Sequence, residues 1–569
     1  MRTVVWHVLH LLLLAVLTES QAGQESIEYW NEVGRKCLES KINSDVGAIL
    51  AEKQTPPKNV ILFIGDGMGI ATITAARVAR NQKNGNTDVN KPFFFETFPF
   101  SGLSKTASFD THTTDSAAAA VALMCGRKVE QNTLGRLPGF GNKCEFGEKA
   151  KIKDGIADLA IDKGVDVGFV TTSSITDATP GAMYAKDVHR RMEFDSAPFM
   201  NATNCDDIAT QILSHPADKF KVMMGGGHAQ FLPNAVGGNR TDNRSIEEEW
   251  THLRPMQKAQ SRVLLTGTED FVRHTPEDDQ QLLGIFAPLH FPYRVDENLR
   301  NSSSVPRLSE MAVKAVQVMN KQSDSRGYFL MIEGANIDKA QHKNRFHLAT
   351  EELNEFDRAI EQVTQMVGDD TLIIITADHA HALTIPGYLN KSHSIFERDG
   401  NVSQIFFATG PGYGDGNRTL YSPEESEDPH FAQPASFFFT DARHGGEDVG
   451  IWAKGPYAWL FTGTMENTQI AYNIKYLLCL DNKERSICDL RKSIASKKKN
   501  EDAEKLMSTG KASPQEQSIH ILNTDLPIRG TMIALIVITC LLAVLVAILL
   551  IVLLRSTFRG TVKPSENSA

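Results

Sequence analysis

Basic charge is what this chain of 569 residues is shortest of: 59 lysines and arginines stand against 69 aspartates and glutamates, a formal net charge of −10. Nucleic-acid binding rests on many phosphate-neutralising cations, so no nucleic-acid partner is expected. The one basic cluster, Lys497 to Lys499, lies in a polar stretch that reads as a solvated linker. Cysteine is scarce too. No two of the seven cysteines have the two-residue gap of a zinc ribbon, and the set suits an oxidising compartment. Cys540 lies in an apolar run and cannot join a bridge outside a membrane. Cys144 with Cys205 and Cys479 with Cys488 are the preferred pairs, leaving Cys37 and Cys125 free, although other pairings are open.

Two apolar runs mark the ends. Arg2, the run Val8 to Leu17 and the small-x-small triplet Ser20-Gln21-Ala22 form a secretory signal, too short to cross a bilayer. Met532 to Leu554 has the length of a membrane span, and Arg555, Arg559 and Lys563 after it put the tail in the cytosol. The expected organisation is a signal at 1–22, a main domain at 23–490, a polar linker or stalk at 491–530, a transmembrane helix at 531–554 and a cytoplasmic tail at 555–569. This is single-pass type I, with the main domain extracellular. A glycolipid anchor attached near Ser508 to Gly510 is the alternative, and the polar tail beyond the apolar run favours the retained helix. Sequons at Asn201, Asn239, Asn243, Asn301, Asn390, Asn401 and Asn417 would face the lumen and could carry glycans.

Hydrophobic residues make up 41% and charged residues 22%, ample material for a large core. Short β-branched runs at Asn59 to Ile64, Val165 to Val170, Phe220 to Met224, Tyr328 to Ile332, Leu372 to Thr376 and Ile405 to Ala408 read as buried strands. Helical spacing at Gly155 to Lys163, Leu308 to Met319 and Glu351 to Val367 falls between them. The pattern predicts an α/β fold with a largely parallel central sheet and helices on both faces.

Ligands in such sheets bind beyond the carboxyl ends of the strands. Four strands deliver polar groups there: Gly65-Asp66-Gly67 after the first, Asp177 and Thr179 after Val170, Glu333 and Asp338 after Ile332, Asp378 and His379 after Thr376. His381 follows, and His342 stands four residues after Asp338, on the same face of a helix. Carboxylates and imidazoles together are zinc ligands, so a metal site is the economical reading. Ser116 precedes the helix-forming run Ala117 to Leu123. At a helix amino terminus, serine commonly caps, and the same position can hold a phosphoryl anion. Position alone leaves cap and nucleophile both open.

Asn59 to Gly69, Asp115-Ser116-Ala117, Thr376-Ala-Asp-His-Ala-His381 and His444-Gly-Gly-Glu-Asp-Val449 together resemble the alkaline phosphatase family, in the family's order, over roughly residues 25 to 490. The likeness is to the animal membrane-bound type with some bacterial-like active-site residues. It implies one zinc on Asp338, His342 and His444, a second on Asp66, Asp378, His379 and the Ser116 oxygen, and a magnesium on Asp66, Thr179 and Glu333. Arg190 matches the arginine that grips two phosphate oxygens, with Arg191 as the neighbouring alternative. The implied chemistry is hydrolysis of a broad range of phosphate monoesters through a phosphoserine at Ser116, in a homodimer. Asp177 and Lys339 replace histidines of many animal members; Asp177 would stand behind the magnesium ligands, and Lys339 would hold water or the bound phosphate. Ala287 and Asn298 stand where vertebrate members place carboxylates for an extra calcium, so calcium is not expected. Ala118 replaces a usual glycine. A silent binding protein would lack a ligand or the nucleophile, and none is missing. A sulfatase of the superfamily would need a modifiable cysteine or serine in a different motif, and a phosphodiesterase usually has threonine as nucleophile, so Asp115-Ser116-Ala117 speaks against both.

Overall fold

The computed structural model describes residues 27–140, 147–199, 205–253, 261–300, 304–322, 325–414 and 421–480. They fall in one compact unit, Met1–Ser496. The main sheet is built from β1 (Asn59–Gly65), β2 (Phe100–Lys105), β3 (Asp166–Ser174), β4 (Val222–Gly226), β5 (Ser261–Leu265), β6 (Gln280–Ile285), β7 (Tyr328–Gly334), β8 (Thr371–Thr376), β9 (Val449–Lys454) and β10 (Gly463–Glu466). Their spatial order is β10-β2-β9-β8-β1-β7-β3-β4-β6-β5. Only β9 runs against the rest, pairing antiparallel with β8 and β2.

β1, Asn-Val-Ile-Leu-Phe-Ile-Gly, buries every residue, as a strand without a polar face must. Its side chains alternate between two cores. Val60 and Leu62 join Leu372, Ile374, Phe329 and Met331 on one face. There α3 (Ser116–Cys125) and α7 (Asn467–Leu477) cover the sheet, with α1 (Ile27–Ile42) packed on α7. Ile61 and Phe63 join Ile373, Ile375, Leu330 and Ile332 on the other, under α2 (Ile70–Lys83), α4 (Leu308–Asn320) and α6 (Phe346–Met366). Each such large side chain contributes about 1.5–3 kcal/mol on burial. α3 buries all ten of its residues, as its alanine-rich composition allows on every side.

The largely parallel sheet with helices on both faces therefore matches the sequence expectation. Ile405 to Ala408 differs: the strand there, Phe406–Gly410, lies in a separate three-stranded sheet with Leu383–Thr384 and Ala435–Phe438. β2, β5, β6, β9 and β10 gave no clear apolar run. β6 starts with Gln280 and Gln281, both buried, and Gln281 Nε2 is satisfied by the Asp218 and Phe220 carbonyls at 3.0 Å each.

Cys205 and Cys479 are disulfide-bonded, while Cys37 and Cys125 are free. Cys144 and Cys488, their expected partners, lie outside the described residues, as do Asn201, Asn301 and Asn417. Asn239, Asn243, Asn390 and Asn401 are exposed. The signal at 1–22, the linker at 491–530, the span at 531–554 and the tail at 555–569 also lie outside. Among the described residues no helix is long and apolar enough to cross a membrane.

Candidate active site

Four adjacent central strands, β8, β1, β7 and β3, end at one edge of the sheet, and each carries polar residues there. Asp66 follows β1 and Asp378 follows β8, side by side because Ile64 pairs with Thr376. Glu333 lies within β7, opposite Ile64 and Thr171. β7 leads into α5 (Asn336–His342), which carries Asp338 and His342 one turn apart. Gly67 turns the chain after β1 with φ +67°, and a Cβ there would stand 2.8 Å from His381 Cδ2 and 3.0 Å from Asp338 Oδ1. Only glycine fits both demands. Its amide donates to Asp378 Oδ1 at 3.1 Å.

The histidines face the centre with one nitrogen bare. Nδ1 of His342 donates to the Ala442 carbonyl (2.6 Å), that of His444 to Thr114 (2.9 Å) and that of His379 to Ala380 (3.3 Å). A carbonyl only accepts, so Nδ1 carries a proton in each, and Nε2 is a lone pair wherever the ring is neutral; burial opposes charge on His342, but Asp338 raises its pKa. Nε2 of His342 and of His444 stand 3.2 Å apart, and Asp338 places Oδ2 3.2 Å from the first and Oδ1 3.7 Å from the second. Facing lone pairs repel, so a cation fits there. His381 Nε2 donates to Asp338 Oδ1 and braces the carboxylate.

Around His379 Nε2 lie Ser116 Oγ at 3.1 Å, Asp378 Oδ2 at 3.2 Å and Asp66 Oδ1 at 3.4 Å. Asp66 Oδ1, Asp378 Oδ2 and the buried Thr179 Oγ1 have no hydrogen-bond partner. Buried oxygens left so are what a metal site needs and a folded core avoids. The described residues hold two groups able to bind a metal ion: Asp338, His342, His381 and His444, and Asp66, Asp338 and His379. The donors fit. Imidazole with carboxylate suits zinc, and the oxygens of Asp66, Thr179 and Glu333 suit a harder cation.

Ser116 is not the helix cap. Asp115 is, its Oδ2 and Oδ1 accepting from the amides of Ala117 and Ala118 at 3.2 Å each, and Ser116 opens the helix with its hydroxyl turned to His379. Asp115 also takes the Asn132 amide (3.0 Å) and Arg190 Nη1 (3.2 Å). Two amides that could have held an anion are therefore occupied. Arg190 Nη2 reaches Asp177 Oδ1 at 3.1 Å, and Lys339 Nζ reaches Asp177 Oδ2 at 2.9 Å. Arg191 is exposed. His290 Nδ1 accepts from the Ser174 amide at 3.3 Å and stands 3.8 Å from Asp177. Glu333 Oε2 accepts from the hydroxyls of Thr171 and Ser173.

Burial, then the neighbouring Asp338, raises Asp378 to about 7; burial raises Glu333 to about 7 and Asp66 well above the carboxylate range. Burial lowers His444 to about 3 and His379 well below its ordinary value. Asp177 goes the other way: burial opposes its charge, but Lys339 and Arg190 hold it well below the usual range. Imidazoles kept neutral are ready ligands, and carboxyls that resist ionisation alone ionise beside a divalent cation.

Asp115, His381 and His290 had no role assigned from sequence. The β-bridge pairing His381 with His444 links two distant motifs that single-sequence reading cannot join. Away from this edge, the Ala287 carbonyl accepts from the amides of Gly227 and His228, and Asn298 Oδ1 lies 3.5 Å from Arg294 Nη2.

Residues 57–480 match the family model described as alkaline phosphatase. The membrane-bound alkaline phosphatase of Bombyx mori is 32% identical over 484 residues, 81% of this chain and 86% of that protein. The tissue-nonspecific alkaline phosphatase isozyme of Homo sapiens is 32% identical over 504 residues, 82% of this chain and 93% of that protein. Among solved structures, the alkaline phosphatase of the Antarctic bacterium TAB5 shares the fold with a TM-score of 0.53 at 23% identity, covering 75% of this chain and 100% of that one. That of Thermus thermophilus does so with a TM-score of 0.56 at 21% identity, covering 76% and 94%. The chain belongs to the alkaline phosphatase family of phosphate-monoester hydrolases.

Proposed function

We propose that this chain hydrolyses a broad range of phosphate monoesters to alcohol and inorganic phosphate through a phosphoserine at Ser116, at a site for two zinc ions and one magnesium ion. The observation that carries the reading is the gathering of Ser116 Oγ, Asp378 Oδ2 and Asp66 Oδ1 within 3.4 Å of His379 Nε2. Asp338, His342 and His444 would hold one zinc, and Asp66, Asp378 and His379 the other, beside Ser116. Asp66, Thr179 and Glu333 would hold magnesium. Bound zinc supplies a Lewis acid to phosphoryl oxygens and lowers the pKa of a hydroxyl or water.

Ser116 Oγ gives up its proton to solvent and attacks phosphorus as the bond to the leaving alcohol oxygen breaks, and that oxygen takes a proton from solvent. Water then attacks the phosphoserine, Oγ is returned, and phosphate leaves after two in-line displacements, with configuration retained. Arg190, its planar guanidinium oriented by Asp115 and Asp177, binds two non-bridging oxygens. The proposal extends to a membrane-anchored homodimer, by the helix at 531–554 or a lipid. That the Bombyx mori relative is a membrane-bound alkaline phosphatase supports the anchoring.

The test is hydrolysis of an aryl phosphate at alkaline pH by the full chain loaded with zinc and magnesium, with an acid quench and mass spectrometry to find phosphate on Ser116. A fully metallated chain that hydrolyses nothing overturns the reading. Gly67→Ala should cut kcat/KM by about 100-fold or more, since its Cβ displaces Asp338 and His381. The same assay checks it, beside a thermal melt. Lys339 places a cation beside Asp177, where it can hold product. Lys339→His is expected to raise both kcat and the inhibition constant of phosphate roughly three- to tenfold, equivalent to losing ~1 kcal/mol of charge attraction. Unchanged values would sink that role.

A further inference from the structure

Arg190 sits on a turn, not on a helix or a long strand. The two-residue strand Val188–His189 pairs with Thr133–Leu134, and the chain then bends, with the Met192 amide donating to the His189 carbonyl at 2.9 Å. A long, flexible side chain on such a segment is only as well aimed as the segment is held. Glu193, three residues on, supplies a hold. Its Oε2 accepts from Thr176 Oγ1 at 2.6 Å and from Gln230 Nε2 at 3.3 Å. Thr176 is fully buried and immediately precedes Asp177, the partner of Arg190 Nη2.

Two contacts therefore join the same pair of segments, 176–177 and 190–193. One passes through the Arg190 side chain, the other stands beside it. Both ends of the second are anchored: Thr176 Oγ1 lies 2.6 Å from Ser174 Oγ at the end of β3, and Gln230 Oε1 accepts from Asn239 Nδ2 at 3.1 Å. When Arg190 turns to a phosphate its bond to Asp177 must loosen, whereas the Glu193 contact involves no group that touches phosphate. We propose that Glu193 is a positioning residue that pins the Arg190 turn to the end of β3 and so sets the grip of Arg190 on phosphate. The inference rests on the phosphatase reading above.

With metallated full-length protein, Glu193→Ala should raise KM for an aryl phosphate and the inhibition constant of inorganic phosphate together, about tenfold, with a smaller change in kcat. Thr176→Val removes the donor at the other end and should do the same. Glu193→Gln keeps an acceptor and should restore most of the affinity. The decisive measurement is the double substitution: in an Arg190→Ala background, Glu193→Ala should add less than about twofold, because nothing remains to be positioned. A purely structural role would instead multiply with Arg190→Ala and lower the melting temperature in proportion. An active wild type whose KM and phosphate inhibition are unmoved by Glu193→Ala, or effects that multiply, overturns the proposal. If the wild type hydrolyses nothing, the phosphatase reading falls, and calorimetric binding of inorganic phosphate to the same variants decides this inference by the same criteria.

Discussion

Ser116→Ala is expected to reduce turnover by at least about 10⁴-fold while leaving the melting temperature nearly unchanged. The second half of that expectation follows from the helix start. A serine that capped α3 would cost about 1 kcal/mol when truncated. Here the cap is Asp115, which satisfies the amides of Ala117 and Ala118, so the Ser116 hydroxyl contributes no backbone bond to the helix. Its contact is with His379 Nε2. Asp115→Ala should behave in the opposite way, since it frees two helix amides, the Asn132 amide and one arm of Arg190 at once. That variant should lose stability and substrate affinity together. A melt and a burst measurement on the two variants separate cap from nucleophile. A large loss of stability in Ser116→Ala, with turnover retained, would reverse the roles.

That pair also shows what a sequence can and cannot give. Both Asp115 and Ser116 are good caps, and the alanine run after them fixes the helix but not which residue precedes its first turn. Asp66, Asp378 and His379 were legible because each follows a wholly buried, largely apolar strand, where polar groups serve no packing purpose. Asp338 and His342 were legible through their one-turn spacing. Arg190 read alone is a surface basic pair with Arg191. Its setting depends on Asp115 and Asp177, 75 and 13 residues away in the chain. Among the strands missed, β6 opens on buried Gln281, whose side-chain amide is satisfied by carbonyls from elsewhere, a compensation that periodicity cannot register.

Removal of metal should abolish activity and, in addition, make the stability of the chain fall between about pH 6.5 and 8. Asp378 and Glu333 have their pKa raised to about 7 by burial, and burial raises Asp66 well above its ordinary value. A carboxyl raised on folding binds its proton more tightly in the folded chain, so its stabilising share is full below the unfolded value and is lost as pH rises through the folded one. The depressed histidines, His379 and His444, offset part of that loss near pH 6.5, where an unfolded imidazole still holds about half a proton, and contribute no slope above about pH 7.5. The metal-free loss over this window is about 1–3 kcal/mol, a few degrees in melting temperature. With zinc and magnesium bound the sign changes: the ligands must be ionised to bind, so rising pH strengthens binding and with it the folded state. Melts of chelated and metallated protein across the window give opposite slopes on this account. Parallel slopes would mean that the buried carboxyls at the ends of β1, β7 and β8 do not share a cation.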